Sequence, residues 1–280
     1  MTSLKTPLRY PGGKSRAITK MSRFLPEMSM YKEYREPFLG GGSVALYMTK
    51  THPHLQIWVN DLYEPLANFW QTLQHEADEI TTRLRTFKKA YSTPEKAKEL
   101  FLESKELVDD ARASLTTRAV SFYIVNKCSF SGLTQASSFS KQASDSNFSL
   151  RGIEKLPEYA KLIENWKITN LSYEKLATDD KNVFTYFDPP YEIGDKLYGK
   201  KGEIHKYFDH DKFAADCDGQ TNHQMISYNS TQVIRNRFKD WYAAEYDLTY
   251  SMRSTGDYMR EQQKRKELLL LNYQLSGVFV

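Results

Sequence analysis

The stretch "VFTYFDPPYEIG", residues 183–194, decides how this chain is read. The first five residues, four apolar or aromatic and one β-branched threonine, predict a strand covered on both faces, as in a parallel sheet between helix layers. The strand then runs directly into Asp188, Pro189, Pro190 and Tyr191. Each proline fixes φ and lacks an N–H donor. Asp188 is itself pushed to extended geometry by the proline after it. The product is a stiff shelf carrying a carboxylate, carbonyl oxygens with no intervening donors, and a tyrosine face. Such a set suits an exocyclic amino group on a planar base: one hydrogen to Asp188, one to the Pro189 carbonyl, with Tyr191 stacked on the ring. As a mere turn the tripeptide is common; its place after a buried strand sets it apart.

Working outward, further short apolar runs occur at 57–61, 167–171, 224–227 and 267–273, and a weaker one enters the glycines at 40–42. Helical patterns at 14–25, 43–51, 155–166 and 209–217 lie between them. Strand and helix alternate, so an α/β sheet with helices on both faces is the economical fold. Residues 66–125 interrupt that rhythm with helix after helix and no strand candidate. Residues 126–152 are polar, with eight serines, scattered phenylalanines, and Lys127, Lys141 and Arg151 against the single acid Asp145. Composition favours a surface loop; a nucleic-acid surface is the other reading. Together, 66–165 reads as an insertion in a core built from residues 1–65 and 166–280.

Bulk properties bound the function without naming it. A hydrophobic content of 40% over 280 residues is ample for a real core, and a net charge of +4 is compatible with nucleic acid but too mild to prove it. The two cysteines, Cys128 and Cys217, form no C-x-x-C pair and give neither a disulfide framework nor a zinc site, which fits a reducing cytoplasm. No metal site is expected. The start "MTSLKTPLRY" lacks the apolar core of a signal peptide, and the four leucines 268–271 fall far short of a membrane span.

Three more sites carry chemistry. In "YREPFLGGGSVAL", 34–46, three glycines precede an apolar helix opened by Ser43. Glycine there lets backbone approach a ligand at the helix N-terminus, although an ordinary strand-to-helix turn has the same look. The pattern is not the G-x-x-x-x-G-K-[ST] phosphate loop. Asp61 ends the strand "IWVND", 20 residues past Gly41. It can cap the following helix or accept hydrogen bonds from ribose hydroxyls; the upstream glycine turn favours the ribose. In "LRYPGGKSR", 8–16, Lys14 opens a helix whose dipole it opposes, so it calls for an anionic partner.

With "RYPGGK", "EPFLGGGSV", the acid after "IWVN" and "DPPY" in that order, the sequence resembles the Dam-type adenine-N6 DNA methyltransferases that use S-adenosylmethionine. The likeness extends over most of the chain, including "SFYIVNKCSFSGL" (121–133) and "QMISYNST" (224–231). It implies a Rossmann-like seven-stranded mixed sheet with its last strand antiparallel, helices on both faces, and a mainly helical DNA-recognition insertion at 66–165. It implies that Tyr10, Lys14, Phe38, Gly40, Gly42, Asp61 and Asp188 line the cofactor site, with Asp61 on the ribose and Tyr10 as its cover. Catalysis falls to Asp188, Pro189, Pro190 and Tyr191. DNA contacts are expected from Asn126, Lys127, Ser131, Lys141 and Arg151, and from the basic tail 253–271. Family members often carry tryptophan and alanine where this chain has Tyr10 and Pro11, and the 126–152 segment departs further from them. The implied partner is double-stranded DNA, bound by a monomer at a GATC-like site or at CATG, with a restriction endonuclease as a possible companion. Rival readings are a cytosine-N4 methyltransferase, a glutamine or RNA methyltransferase, a non-catalytic DNA-binding relative, and a dinucleotide oxidoreductase. The intact DPPY opposes the relic, and three adjacent glycines are not G-x-G-x-x-G.

Overall fold

The VFTYF run forms β4, Val183–Phe187, and all five of its residues are buried. In the computed structural model, which describes residues 5–10, 12–132, 137–192, 208–247 and 266–275, β4 lies at the middle of a seven-stranded sheet. The other strands are β1 (Glu33–Glu36), β2 (Gln56–Asn60), β3 (Lys167–Thr169), β5 (His223–Asn229), β6 (Tyr242–Asp247) and β7 (Lys266–Leu271). Their order is β3-β2-β1-β4-β5-β7-β6. β1 to β5 pair in parallel, and β7 lies antiparallel between β5 and β6. This is the mixed, Rossmann-like arrangement the sequence predicts, with the last strand reversed.

Alternation along the strands divides the core between two faces. Phe184, Tyr186, Met225, Leu269 and Leu271 join one apolar cluster, which also holds Leu66, Phe69, Trp70 and most of the inserted helices. Phe187, Ile226, Tyr228, Leu268 and Leu270 join the other, under Phe213, Ile234 and Phe238. The leucine run 268–271 is continuous because it is covered on both sides.

The helices are α1 (Ile18–Met21), α2 (Ser43–Thr51), α3 (Glu64–Ala90), α4 (Pro94–Leu107), α5 (Leu115–Cys128), α6 (Lys141–Ser146), α7 (Leu150–Ile153), α8 (Leu156–Leu162), α9 (His210–Asp218) and α10 (Gln232–Arg237). Here the sequence reading needs correction in four places. Residues 14–25 form short turns (3-10 at Lys14–Arg16 and Ser22–Phe24 around α1) and not one helix. The helix α3 breaks at Glu76, whose φ of −129° is non-helical. The polar segment 126–152 holds the end of α5 and all of α6, each capped by serine: Ser114 accepts from Thr117 N–H and Ser140 from Ala143 N–H. Finally, β6 has no counterpart in the sequence reading. Pro11, the side chain of Ser131 and residues 253–265 of the basic tail lie outside the described residues.

The strand order reverses between β1 and β4, from which β2 and β3 run one way and β5, β7 and β6 the other. The loops after β1 and β4 therefore leave the sheet side by side, at the place where doubly wound folds bind ligands.

Candidate active site

Both oxygens of Asp188 accept hydrogen bonds from Lys14 Nζ at 2.8 Å, and the same ammonium donates to the Gly12 carbonyl at 3.0 Å. Lys14 is 2% exposed and the Asp188 side chain 22%. A cation this withdrawn from water is tolerable only when paired and hydrogen-bonded. The anion that Lys14 calls for is thus Asp188, 174 residues away. The glycines make the approach possible: Gly12, at φ +73°, turns its carbonyl toward the ammonium, and Gly13 N–H closes the turn on the Tyr10 carbonyl at 3.1 Å. Burial raises the Asp188 carboxyl above its ordinary range, opposed by the charge and hydrogen bond of Lys14; Glu267 adds to the rise and a hydrogen bond with Tyr191 reduces it.

Pro189 is buried and Pro190 half-buried, which leaves Asp188 on a rigid ledge. Tyr191 closes one side. Its hydroxyl donates to Glu267 Oε2 at 2.6 Å, its ring tilts against Tyr228 at 5.8 Å, and Lys14 Nζ stands 5.1 Å from its centroid. Behind the ledge Glu36, at the end of β1, is 2% exposed and accepts from the Tyr34 hydroxyl at 2.6 Å. Burial raises its carboxyl well above the usual range, the Tyr34 hydrogen bond opposing and the Asp188 charge adding.

The glycine turn lies alongside. Gly40 and Gly42 have φ of +50° and +68°, a region that side chains with a Cβ avoid. A Cβ on Gly40 would meet the Tyr10 ring at 2.9 Å, and one on Gly42 would meet Trp70 Cζ2 at 2.8 Å. The glycines are required by the close approach of the protein's own aromatic rings, not only by a ligand. Thr6 and Trp70 add hydrogen bonds to the Gly41 and Gly40 carbonyls.

Asp61 grips the same turn: Oδ2 accepts from Gly40 N–H and Oδ1 from Tyr63 N–H, both at 2.9 Å. It therefore anchors the loop and opens α3 at once, and each oxygen keeps a lone pair for a further donor. Burial pushes its carboxyl up to about 6, the two backbone hydrogen bonds opposing. Phe38 extends from the turn into an aromatic cluster, with ring centroids 5.5 Å from Tyr173, 5.7 Å from Phe208 and 5.9 Å from Phe213.

The expected DNA contacts fare differently. Asn126 is fully buried. Its Oδ1 accepts from Arg9 N–H at 2.9 Å, and its Nδ2 donates to the Arg9 and Gly132 carbonyls at 2.6 and 3.0 Å. With its amide committed, Asn126 is a clamp between α5 and the segment leading to Lys14, which corrects its place among the DNA contacts. Lys127 is half-buried, stands 5.3 Å from the Tyr123 ring, and is pushed down to about 8, chiefly by desolvation and then by Arg9. Lys141 and Arg151 are exposed.

Sequence reasoning missed Glu36, Glu267 and the Arg9–Asn126 clamp. For Glu267 the signal was available: an acid heading a leucine run that is buried on both faces.

Comparison with known proteins converges on the same chemistry. A family model for D12 class N6 adenine-specific DNA methyltransferases matches residues 10–253. The chain belongs to that family. It is an adenine-specific DNA methyltransferase, as the four motifs imply, and the cytosine and oxidoreductase readings fall away. It is similar to Type II methyltransferase M.MjaIII of Methanocaldococcus jannaschii, 24% identical over 201 residues that cover 68% of this chain and 70% of that protein. It is also similar to the DNA N-6-adenine-methyltransferase of Escherichia phage P1, 33% identical over 130 residues. That match covers 45% of this chain and 15% of the phage protein's length. Among the described residues no group of three or more His, Cys, Asp or Glu is placed to hold a metal ion, and no helix is long and apolar enough to cross a membrane.

Proposed function

We infer that the enzyme transfers a methyl group from S-adenosylmethionine to N6 of an adenine everted from duplex DNA, and that Asp188 receives the amino group. The observation that carries this reading is the half-buried Asp188 carboxylate, paired with buried Lys14 and held on a proline ledge at the point where the strand order reverses. The residues present suit the donor. Asp61 has acceptor capacity left for ribose hydroxyls, Phe38 offers an aromatic surface for a purine, and Tyr10 roofs the glycine turn. When bound, S-adenosylmethionine supplies a methyl group activated on a sulfonium.

The amino group of adenine is a poor nucleophile because its lone pair is delocalised into the ring. Hydrogen bonds from its two N–H groups to Asp188 and the Pro189 carbonyl hold the nitrogen still and favour pyramidal geometry. The lone pair is then freed toward the methyl group. Lys14 opposes the burial that raises the Asp188 carboxyl, which favours the carboxylate form that accepts these hydrogen bonds and offsets positive charge growing on nitrogen. Asp188 need not be a strong base, because the methylated nitrogen turns acidic and loses its proton late. The base must leave the duplex to reach the ledge, at a cost of about a few kcal/mol, and Tyr191 gives it a ring to stack on.

Residues 66–165 are assigned to target recognition, with Lys141, Arg151 and Lys127 contacting phosphates; binding is then strongly salt-dependent. A monomer acting in the cytoplasm on GATC or CATG sites, alongside a restriction endonuclease, completes the proposal. Asp188→Ala should lose methyl transfer by orders of magnitude while circular dichroism shows it folded. Near-normal incorporation of labelled methyl into DNA by that variant would end the proposal, and sequencing of DNA from an unmethylated host expressing the enzyme identifies the site.

A further inference from the structure

Glu267 takes no part in the chemistry above, yet its position is unusual. It is 3% exposed, on a strand where four buried leucines follow it. A carboxylate is kept there only if its hydrogen bonds repay desolvation. Its partner is the Tyr191 hydroxyl, 2.6 Å away on the loop that follows β4.

The register of β7 places Glu267 opposite Asn229 on β5 and Tyr246 on β6. Three polar side chains therefore stand in one row across three strands, on one face of the sheet. Both neighbours are buried, and Asn229 Oδ1 and the Tyr246 hydroxyl find no hydrogen-bond partner among the described residues. Buried polar atoms are almost always satisfied. A row with capacity in reserve, beside Asp188, is what a site for a polar ring requires.

Tyr191 itself is held by Glu267 and Asp188 through hydrogen bonds, by Tyr228 against the ring, and by Lys14 at 5.1 Å from the centroid. The 2.6 Å bond to Glu267 is directional and ties the ring's tilt to β7.

We propose that Glu267 is a positioning residue for methyl transfer, fixing the plane of the Tyr191 ring so that the everted base stacks with its amino group on Asp188. The proposal rests on the methyl-transfer reading above. Glu267 acts through Tyr191 and leaves donor binding untouched. Its charge also raises the Asp188 carboxyl, an effect that E267L and E267Q both remove, so that only the lost acceptor separates the two variants.

The test combines E267L, E267Q, Y191F and the double variant E267L/Y191F. Three readouts are needed: kcat and KM for duplex DNA, S-adenosylmethionine affinity by calorimetry, and fluorescence of 2-aminopurine at the target position. A lost hydrogen bond to a charged group corresponds to about tenfold or more in rate. E267L should therefore lose about tenfold or more in kcat and much of the 2-aminopurine signal, with donor affinity unchanged. E267Q, which keeps an acceptor for the hydroxyl, should recover most of both. Adding E267L to Y191F should cost little more, since the bond is already gone.

Wild-type kcat and fluorescence in E267L, a full additional loss in the double variant, or weakened donor affinity overturns the proposal. Should E267L fail to fold, Y191F removes the other end of the same bond, together with the hydrogen bond to Asp188, and must show at least that loss; full activity there is equally fatal. If the wild type gives neither transfer nor a fluorescence change, the functional reading itself fails and the positioning role with it.

Discussion

Asp61 offers a quantitative test of the donor site, because its carboxyl must be ionised to accept ribose hydroxyls and burial pushes it up to about 6. Lowering the pH from 7.5 to 5 takes the carboxylate from almost fully ionised to about one part in ten, so affinity for S-adenosylmethionine should fall about tenfold. The sign for stability is opposite. A folded-state value near 6 against an ordinary 3.8 means that the folded protein holds the proton more tightly. The contribution to stability is then full below pH 3.8 and is lost as the pH rises through 6. The ceiling is about 3 kcal/mol, at about 1.36 kcal/mol per unit, and the Gly40 and Tyr63 hydrogen bonds are already included in the shift. The unliganded enzyme should therefore gain stability toward acid in the range where it loses its ligand. Calorimetric titration at half-unit steps from pH 5 to 7.5 measures the first effect and urea unfolding the second. In Asp61→Asn, binding should be weak throughout and the pH dependence flat. Constant wild-type affinity between pH 5 and 7.5, or a slope that survives in Asp61→Asn, would refute the assignment.

Two further outcomes test the surroundings of the site. Lys14→Met removes the charge and hydrogen bond that hold the Asp188 carboxyl down, so its titration moves upward. Transfer at pH 7 should drop and recover in part as the pH rises, which a pH–rate profile would reveal as an acid limb displaced upward relative to wild type. Gly42→Ala forces a Cβ into a left-handed residue 2.8 Å from Trp70 and should destabilise by about 2–4 kcal/mol in urea unfolding.

The parts legible in the sequence were those whose chemistry is local. Asp188, the two prolines and Tyr191 are neighbours in the chain, and the apolar run before them has one natural environment. The glycine turn and Asp61 were readable for the same reason. What escaped depends on distant partners. Asn126 looked like a DNA reader because it stands beside Lys127 in a polar segment, but its hydrogen bonds go to Arg9, 117 residues away. Lys14 was seen to need an anion, yet nothing local named Asp188. The strand Tyr242–Asp247 was missed because "YAAEYD" mixes alanines with charges and pairs only with β7. As an edge strand it needs no continuous apolar run.

The reversed placement of β7 has a consequence for how the molecule comes into being. β5 and β6 are not ladder partners; β5 is held by β4, whereas β6 is joined to the sheet only through residues 266–271 among the described strands. A chain emerging from the ribosome can assemble β1 to β5 as it grows, but β6 must wait, unpaired, for the closing segment. That segment also brings the acid that grips Tyr191. Completion of the sheet and arming of the ledge are thus one event, and an unfinished chain carries its aromatic platform unsecured.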